Sequence, residues 1–139
     1  FTELPLFPEE QAARLCRLVL MQALPSLLEA DFSSFGSAVS TIQQAVGDYF
    51  APVQGGRFTS PAVTAVLNEL ARERVGLGQS SWGPTGFALC ENDTDASRLL
   101  ARLKARWTTT STLHFAIGNP RNQPGLIESH TDELQRTVG

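Results

Sequence analysis

Between residues 76 and 89 the chain reads Gly-Leu-Gly-Gln-Ser-Ser-Trp-Gly-Pro-Thr-Gly-Phe-Ala-Leu, with glycines at 76, 78, 83 and 86. Glycine carries no Cβ, so backbone there can approach another group closely and adopt positive φ at little cost. A two-residue hairpin turn needs only one or two such positions. The surplus confines this run to a place where something packs directly on the backbone. Its setting is also constrained, with an amphipathic helical pattern before it and an apolar stretch after it. The run reads as two strands, residues 76–81 and 85–90, reversing at Trp82-Gly83-Pro84.

The remaining elements follow from periodicity and end signals. Pro8-Glu9-Glu10 opens a helix, since proline is tolerated in the first turn and carboxylates favour the positive end. Its apolar stripe is Ala12, Leu15, Cys16, Val19 and Ala23, and Pro25 is expected to kink it. Asp31 caps a second helix with a stripe of Phe32, Phe35, Val39, Ile42, Val46 and Tyr49. The small residues Gly36, Ser37, Ala38 and Gly47 on that helix predict close packing. Residues 51–59 read as a loop around Pro52, Gly55 and Gly56. Ser60-Pro61 starts a third helix carrying Val63, Val66, Leu67 and Leu70. A fourth follows the cap signals of residues 92–95, with Leu99, Leu100, Leu103 and Trp107 on one side and Arg98, Arg102, Lys104 and Arg106 on its wet face. Alternation in residues 111–117 predicts a last strand, with Leu113, Phe115 and Ile117 on one face and His114 on the other. Residues 1–7 read as a lead-in and 119–139 as an irregular tail.

This order is helices, strand, strand, helix, strand. It is an α+β, ferredoxin-like βαββαβ unit, an antiparallel sheet with helices on one face, lacking its first strand. The chain begins with Phe1 rather than methionine, which agrees with an internal cut before that strand. A missing central strand leaves neighbouring edges unpaired, and open edges attract another chain. A homodimer or a swapped strand is therefore expected, with residues 4–7 or Leu126 and Ile127 as candidate segments.

Bulk properties narrow the function classes. One domain is expected for 139 residues, and 11 basic against 14 acidic side chains give a net charge of −3. No basic stripe for nucleic acid and no membrane-length apolar run is present. Cys16 and Cys90 read as buried free thiols of a cytoplasmic protein. The two histidines are far apart and give no metal-ligand spacing.

Gly78-Gln79-Ser80-Ser81-Trp82-Gly83-Pro84-Thr85-Gly86-Phe87-Ala88 resembles the signature of the β-ribofuranosylaminobenzene 5′-phosphate synthase family of the GHMP kinase superfamily. Residues 18–25, residues 35–43 and Gln54-Gly55-Gly56 agree with it, so the likeness extends over most of residues 4–118. The resemblance implies condensation of 4-aminobenzoate with phosphoribosyl pyrophosphate, releasing carbon dioxide and pyrophosphate, on the route to methanopterin. It also implies a C-terminal domain only, because the Gly-Ser-Ser phosphate loop of the N-terminal GHMP half has no counterpart here. Alone, the chain is expected to be inactive. Mg²⁺ is the cofactor that a pyrophosphate leaving group would bring. A GHMP small-molecule kinase using ATP and a non-catalytic ligand-sensing or interaction module are the alternative readings.

The candidate binding residues are Gln54, Gly55, Gly56, Gly78, Gln79, Ser80, Ser81, Trp82, Gly83 and Thr85. Backbone N–H groups of the glycine-rich run and the hydroxyls of Ser80, Ser81 and Thr85 suit anionic phosphate oxygens. The alternative for the same run is a hairpin whose small residues make room for helices. Trp82 can stack on an aromatic acid or cover a domain interface. Gln54 and Arg57 offer an amide and a guanidinium, although two glycines after a helix also make a C-terminal cap. His114, Asn119 and Arg121 are further polar residues near the last strand, and no general base stands out.

Overall fold

The computed structural model describes residues 3–109 and 112–121. Along the chain lie α1 (Glu9–Leu18), a π-helical turn (Val19–Ala23), α2 (Leu24–Leu28), α3 (Phe32–Gln54), α4 (Pro61–Leu70), β1 (Leu77–Gln79), β2 (Gly86–Ala88) and α5 (Asp93–Arg106). β1 and β2 form the expected antiparallel hairpin, in the register Leu77↔Ala88, Gly78↔Phe87 and Gln79↔Gly86. The fold is α+β, a truncated ferredoxin-like unit, and no described residue forms its first strand. Leu126 and Ile127, considered above as an added strand, lie outside the described residues.

Helix ends sit where the side chains can satisfy orphan amides. Asp31 accepts from Ser34 N–H, Ser60 from Val63 N–H and Asn92 from Asp95 N–H. Pro25 disturbs the first helix as expected, and the disturbance is a π turn just before it. Ser26 compensates there, its hydroxyl donating to the carbonyls of Gln22 at 2.6 Å and Ala23 at 3.1 Å.

α3 differs from expectation in two ways. It runs through Pro52 to Gln54 and stops at Gly55, which takes φ 85°. The expected loop therefore begins at Gly55, because a proline so near the end forfeits few helical bonds and Gly55 supplies the left-handed cap. The face of α3 turned to the hairpin is also not the apolar stripe. The buried residues of the helix are Gly36, Ala38 and Gly47, of which Gly36 and Gly47 share the side of Ser40 and Gln43. Phe32, Phe35, Val39, Ile42 and Tyr49 are half-buried and Val46 is exposed. A β-carbon on Gly36 would stand 2.8 Å from the Val75 side chain, and one on Gly47 would stand 2.6 Å from the Arg57 carbonyl. Bulk on this face would push the hairpin away.

The same face covers the outer edge of β1. Gly76 N–H reaches Gly36 O at 2.9 Å and Ser40 Oγ at 2.9 Å. Leu77 N–H reaches Ser40 Oγ at 3.1 Å, and Gln79 N–H reaches Gln43 Oε1 at 3.0 Å. A helix thus stands where another strand would pair. On its opposite side the hairpin packs on α4 and α5, where Val66, Leu67, Leu70, Leu77, Leu99 and Leu103 form the core. Arg74 clamps this layer with a two-pronged ion pair to Asp95 in the first turn of α5.

Two further expectations are corrected. Described residues 112–117 form no strand and make no backbone hydrogen bond to β2. The alternation survives in part: Leu113 and Phe115 pack on the core and His114 is exposed. Ile117, expected on the same face as Leu113, is exposed and lies outside the core. Packing can orient an extended segment, but a strand needs a partner, and the first strand that would lie between is not among the described residues. The cysteines are not both buried: Cys16 is exposed and Cys90 is half-buried, where burial pushes its thiol pKa up. The α1 stripe is shallow, with no fully buried residue, so Cys16 falls outside the covered side. No helix among the described residues is long and apolar enough to cross a membrane.

Leu70 is 2% exposed at the centre of the core. Leu70→Ala should cost about 3 kcal/mol, read from urea unfolding. The Arg74 guanidinium holds the Asp95 carboxyl below its ordinary 3.8. A lowered carboxylate pKa stabilises fully above the unfolded value, and that contribution is lost as pH falls through the folded one. The stability advantage of wild type over Asp95→Asn should therefore be flat near neutrality and shrink below about pH 4 in pH-stepped unfolding.

Candidate functional site

The end of α3, the 55–59 segment and the hairpin turn enclose a cleft of ≈ 310 Å³. Four residues singled out from sequence converge on it: Gln54, Gln79, Ser81 and Trp82, with Arg57 beside them. The other candidates are placed differently. Ser80 and Thr85 are exposed at the turn, outside the cleft lining, and the glycines serve geometry.

Each glycine of the run has a neighbour in the place of its missing side chain. A β-carbon on Gly78 would stand 2.5 Å from the Gln43 carboxamide carbon, and one on Gly86 would stand 2.6 Å from Val63. Gly83, at φ 75°, lies against the Gln79 side chain and Thr59. Much of the backbone N–H array is already engaged. Gln79 N–H goes to Gln43, Ser80 N–H to Thr85 O and Gly83 N–H to Ser80 O. Close packing thus accounts for the glycines, and the hydroxyls of Ser80, Ser81 and Thr85 are the groups of the turn that face solvent.

Two carboxamides brace the cleft. Gln79 Oε1 accepts from Thr59 N–H at 2.7 Å while its Nε2 donates to Ser81 O at 3.1 Å. Gln54 Nε2 donates to Arg57 O at 2.9 Å and more weakly to Gly47 O at 3.4 Å. Thr59 Oγ1 donates to Trp82 O at 2.8 Å, which ties the 55–59 segment to the turn. These bonds run between side chain and backbone, so they set the shape of the walls.

The remaining wall is aromatic. Phe50 meets Trp82 edge to face, with centroids 5.0 Å apart and planes at 67°, and Phe58 also lines the cleft. Trp82 is 64% exposed, unusual for so large an apolar surface. Arg57 at the rim pairs with Asp48 through Nε at 2.7 Å and Nη2 at 2.9 Å. That partner raises the Arg57 pKa and occupies the fork that a phosphate would need for a bidentate grip. His114 and Asn119 are exposed and outside the lining, as is Arg121. No group of three or more His, Cys, Asp or Glu side chains stands together among the described residues.

Sequence reasoning passed over Gln43, Phe50 and Phe58. The first two had a readable signal, because Gly36, Ser40, Gln43, Gly47, Phe50 and Gln54 recur at alternating spacings of four and three. Apart from Phe50 that stripe is polar and small, and apolar periodicity selects the other side of the helix. Phe58 lies in a segment without periodicity.

A family model described as GHMP kinases C terminal matches residues 23–109. The beta-ribofuranosylphenol 5'-phosphate synthase of Methanothermobacter thermautotrophicus is 27% identical over 92 residues, which make up 66% of this chain and 27% of that protein. The chain therefore spans about a quarter of the length of the curated relative it matches. No solved structure matches it.

Gly78→Ala should force Gln43 off the hairpin and cost about 1–3 kcal/mol. Gly118→Ala, where nothing lies within 4 Å of the added methyl, should change stability by less than about 0.5 kcal/mol. Equal denaturation midpoints for the two variants would contradict the packing role of Gly78.

Proposed function

Because the chain belongs to the family of GHMP kinase C-terminal domains, we propose that it serves a synthase that forms a carbon–carbon bond rather than a phosphoryl transferase. The substrates in this reading are phosphoribosyl pyrophosphate and an aromatic acid, either 4-aminobenzoate or, following the phenol in the relative's name, a 4-hydroxybenzoate. The ring carbon bearing the carboxylate attacks the anomeric carbon as pyrophosphate leaves with the electrons of the broken C–O bond. Loss of carbon dioxide from the same ring carbon then returns an electron pair to the ring. An amino or hydroxyl group opposite that carbon makes it nucleophilic. The product would be a precursor of methanopterin, made in the cytoplasm.

The observation that carries this reading is the pairing of an aromatic-walled cleft with three exposed hydroxyl residues on the hairpin turn, of which Ser81 lines the cleft. The hydroxyls of Ser80, Ser81 and Thr85 can donate to phosphate or pyrophosphate oxygens, while the cleft excludes water from one side of the reacting ring. Gln54, Gln79 and the run's glycines act by holding these groups in place. The described residues offer amides and hydroxyls rather than a carboxylate cluster, so they do not fit a Mg²⁺ centre of their own. Catalysis by this chain alone is not expected, because the cleft is open and none of the described residues that line it is suited to act as a general base.

The natural gene product should convert phosphoribosyl pyrophosphate and the aromatic acid with equal release of carbon dioxide and pyrophosphate. ATP-dependent phosphorylation of a small alcohol, with neither product formed, would replace this reading with the kinase one. In the same assay, Ser80→Ala with Ser81→Ala should raise KM for phosphoribosyl pyrophosphate about tenfold, the value of one hydrogen bond to a charged group. An unchanged KM would remove the hydroxyls from the phosphate site.

A further inference from the structure

Three carboxamides line the cleft, and their hydrogen-bonding states differ. Those of Gln54 and Gln79 each use both the oxygen and the nitrogen on neighbouring groups. Gln43 uses only its oxygen, which accepts from Gln79 N–H at 3.0 Å. That backbone donor decides the orientation of the amide, since an NH₂ group turned toward it would set donor against donor. The Gln43 side chain lies flat on Gly78, where a β-carbon would collide with it. Its Nε2 is therefore a fixed donor, with no hydrogen-bond partner among the described residues. A half-buried amide held this firmly on the cleft lining, with solvent access at its nitrogen, offers its donors to an acceptor that enters the cleft.

The surroundings give the chemistry of that acceptor. Gln43 lies on the same face of α3 as Phe50, seven residues on, and Phe50 meets the exposed Trp82. Arg57, the nearby cation, is engaged by Asp48, so the cleft offers aromatic surface and a neutral amide donor rather than a free charge. We propose that Gln43 is a specificity-determining residue whose Nε2 donates to an acceptor group on a planar aromatic ring held by Phe50 and Trp82. This places the aromatic end of the substrate in the cleft and the phosphoribosyl end at the turn. It rests on the transferase reading above, and adds to it which end lies where and which side chain reads it.

The test uses the 139-residue chain, with the Gln43 side-chain NH₂ and Trp82 indole N–H resonances followed by NMR. Benzoate titrated to millimolar concentration should shift both, and ribose 5-phosphate should leave both in place. Gln43→Glu keeps an oxygen for Gln79 N–H and nearly the same volume, but removes the donors and adds a negative charge. Benzoate affinity should fall at least about tenfold in this variant, the scale of one lost hydrogen bond to a charged group. Neutral phenol, which can donate to the new carboxylate, should bind at least as well as before. Trp82→Ala, at an exposed position, should weaken both ligands. If ribose 5-phosphate shifts the two resonances and benzoate does not, the placement is overturned while the transferase reading stands. Absence of any shift, or undiminished benzoate binding by Gln43→Glu, also overturns the role of Gln43. The transferase reading would fall separately, in the turnover assay of the natural gene product.

Discussion

Everything in this molecule is arranged around the contact between α3 and the outer edge of β1. A strand edge exposes amide donors that normally find another strand. Here three residues of one helix supply the acceptors instead: Gly36 through its carbonyl, Ser40 through its hydroxyl and Gln43 through its carboxamide. The two lattices match in length. Seven residues of helix rise about 10.5 Å, and three residues of strand from 76 to 79 advance about 10 Å. The residues on this face must be small or polar, since a bulky apolar side chain would satisfy no amide and would hold the hairpin at a distance. The glycines of the hairpin answer the same demand from the other side.

That contact also explains how the cleft comes to exist. α3 continues past the end of β1, so its last two turns, from Gly47 to Gln54, overhang the turn at residues 80–83 rather than the sheet. The 55–59 segment then folds back beneath them, with Thr59 bridging to Gln79 and Trp82. The cleft is what remains between an overhanging helix end and a hairpin shorter than the helix. Gln43 stands at the boundary, with its oxygen given to the sheet and its nitrogen left to the space beyond.

Much of the fold was legible in the sequence because local signals and tertiary needs agree there. Asp31, Ser60 and Asn92 cap helices where their side chains predict it, and Val66, Leu67, Leu70, Leu99 and Leu103 form the core that their spacing implies. The hairpin follows from the glycines and Pro84. Legibility failed where a residue's role depends on a distant partner. Residues 112–117 alternate like a strand and in part pack like one, but pairing is decided by a neighbour that no local pattern contains. Phe32, Phe35 and Val39 mark the apolar side of α3, yet the side that organises the hairpin reads as Gly36, Ser40 and Gln43. Gln54, Gln79, Ser81 and Trp82 were legible as candidates because they lie in glycine-rich stretches. Gln43 was passed over, because the helical stripe that marks it is mostly small and polar and apolar periodicity selects the other side of α3.

The bracing carboxamides of Gln54 and Gln79 have a consequence for binding thermodynamics. A loop that orders only when its ligand arrives gives up part of the binding free energy to lost conformational entropy, about 0.5–1.5 kcal/mol for each flexible side chain immobilised. Here the 55–59 segment and the 80–83 turn are already tied to each other and to α3 by four side-chain bonds to the backbone, two through Gln79, one through Gln54 and one through Thr59. That entropy is lost during folding, not at the encounter. A ligand entering the cleft meets walls that are already in place, so even a small molecule with few contacts keeps most of the free energy those contacts provide.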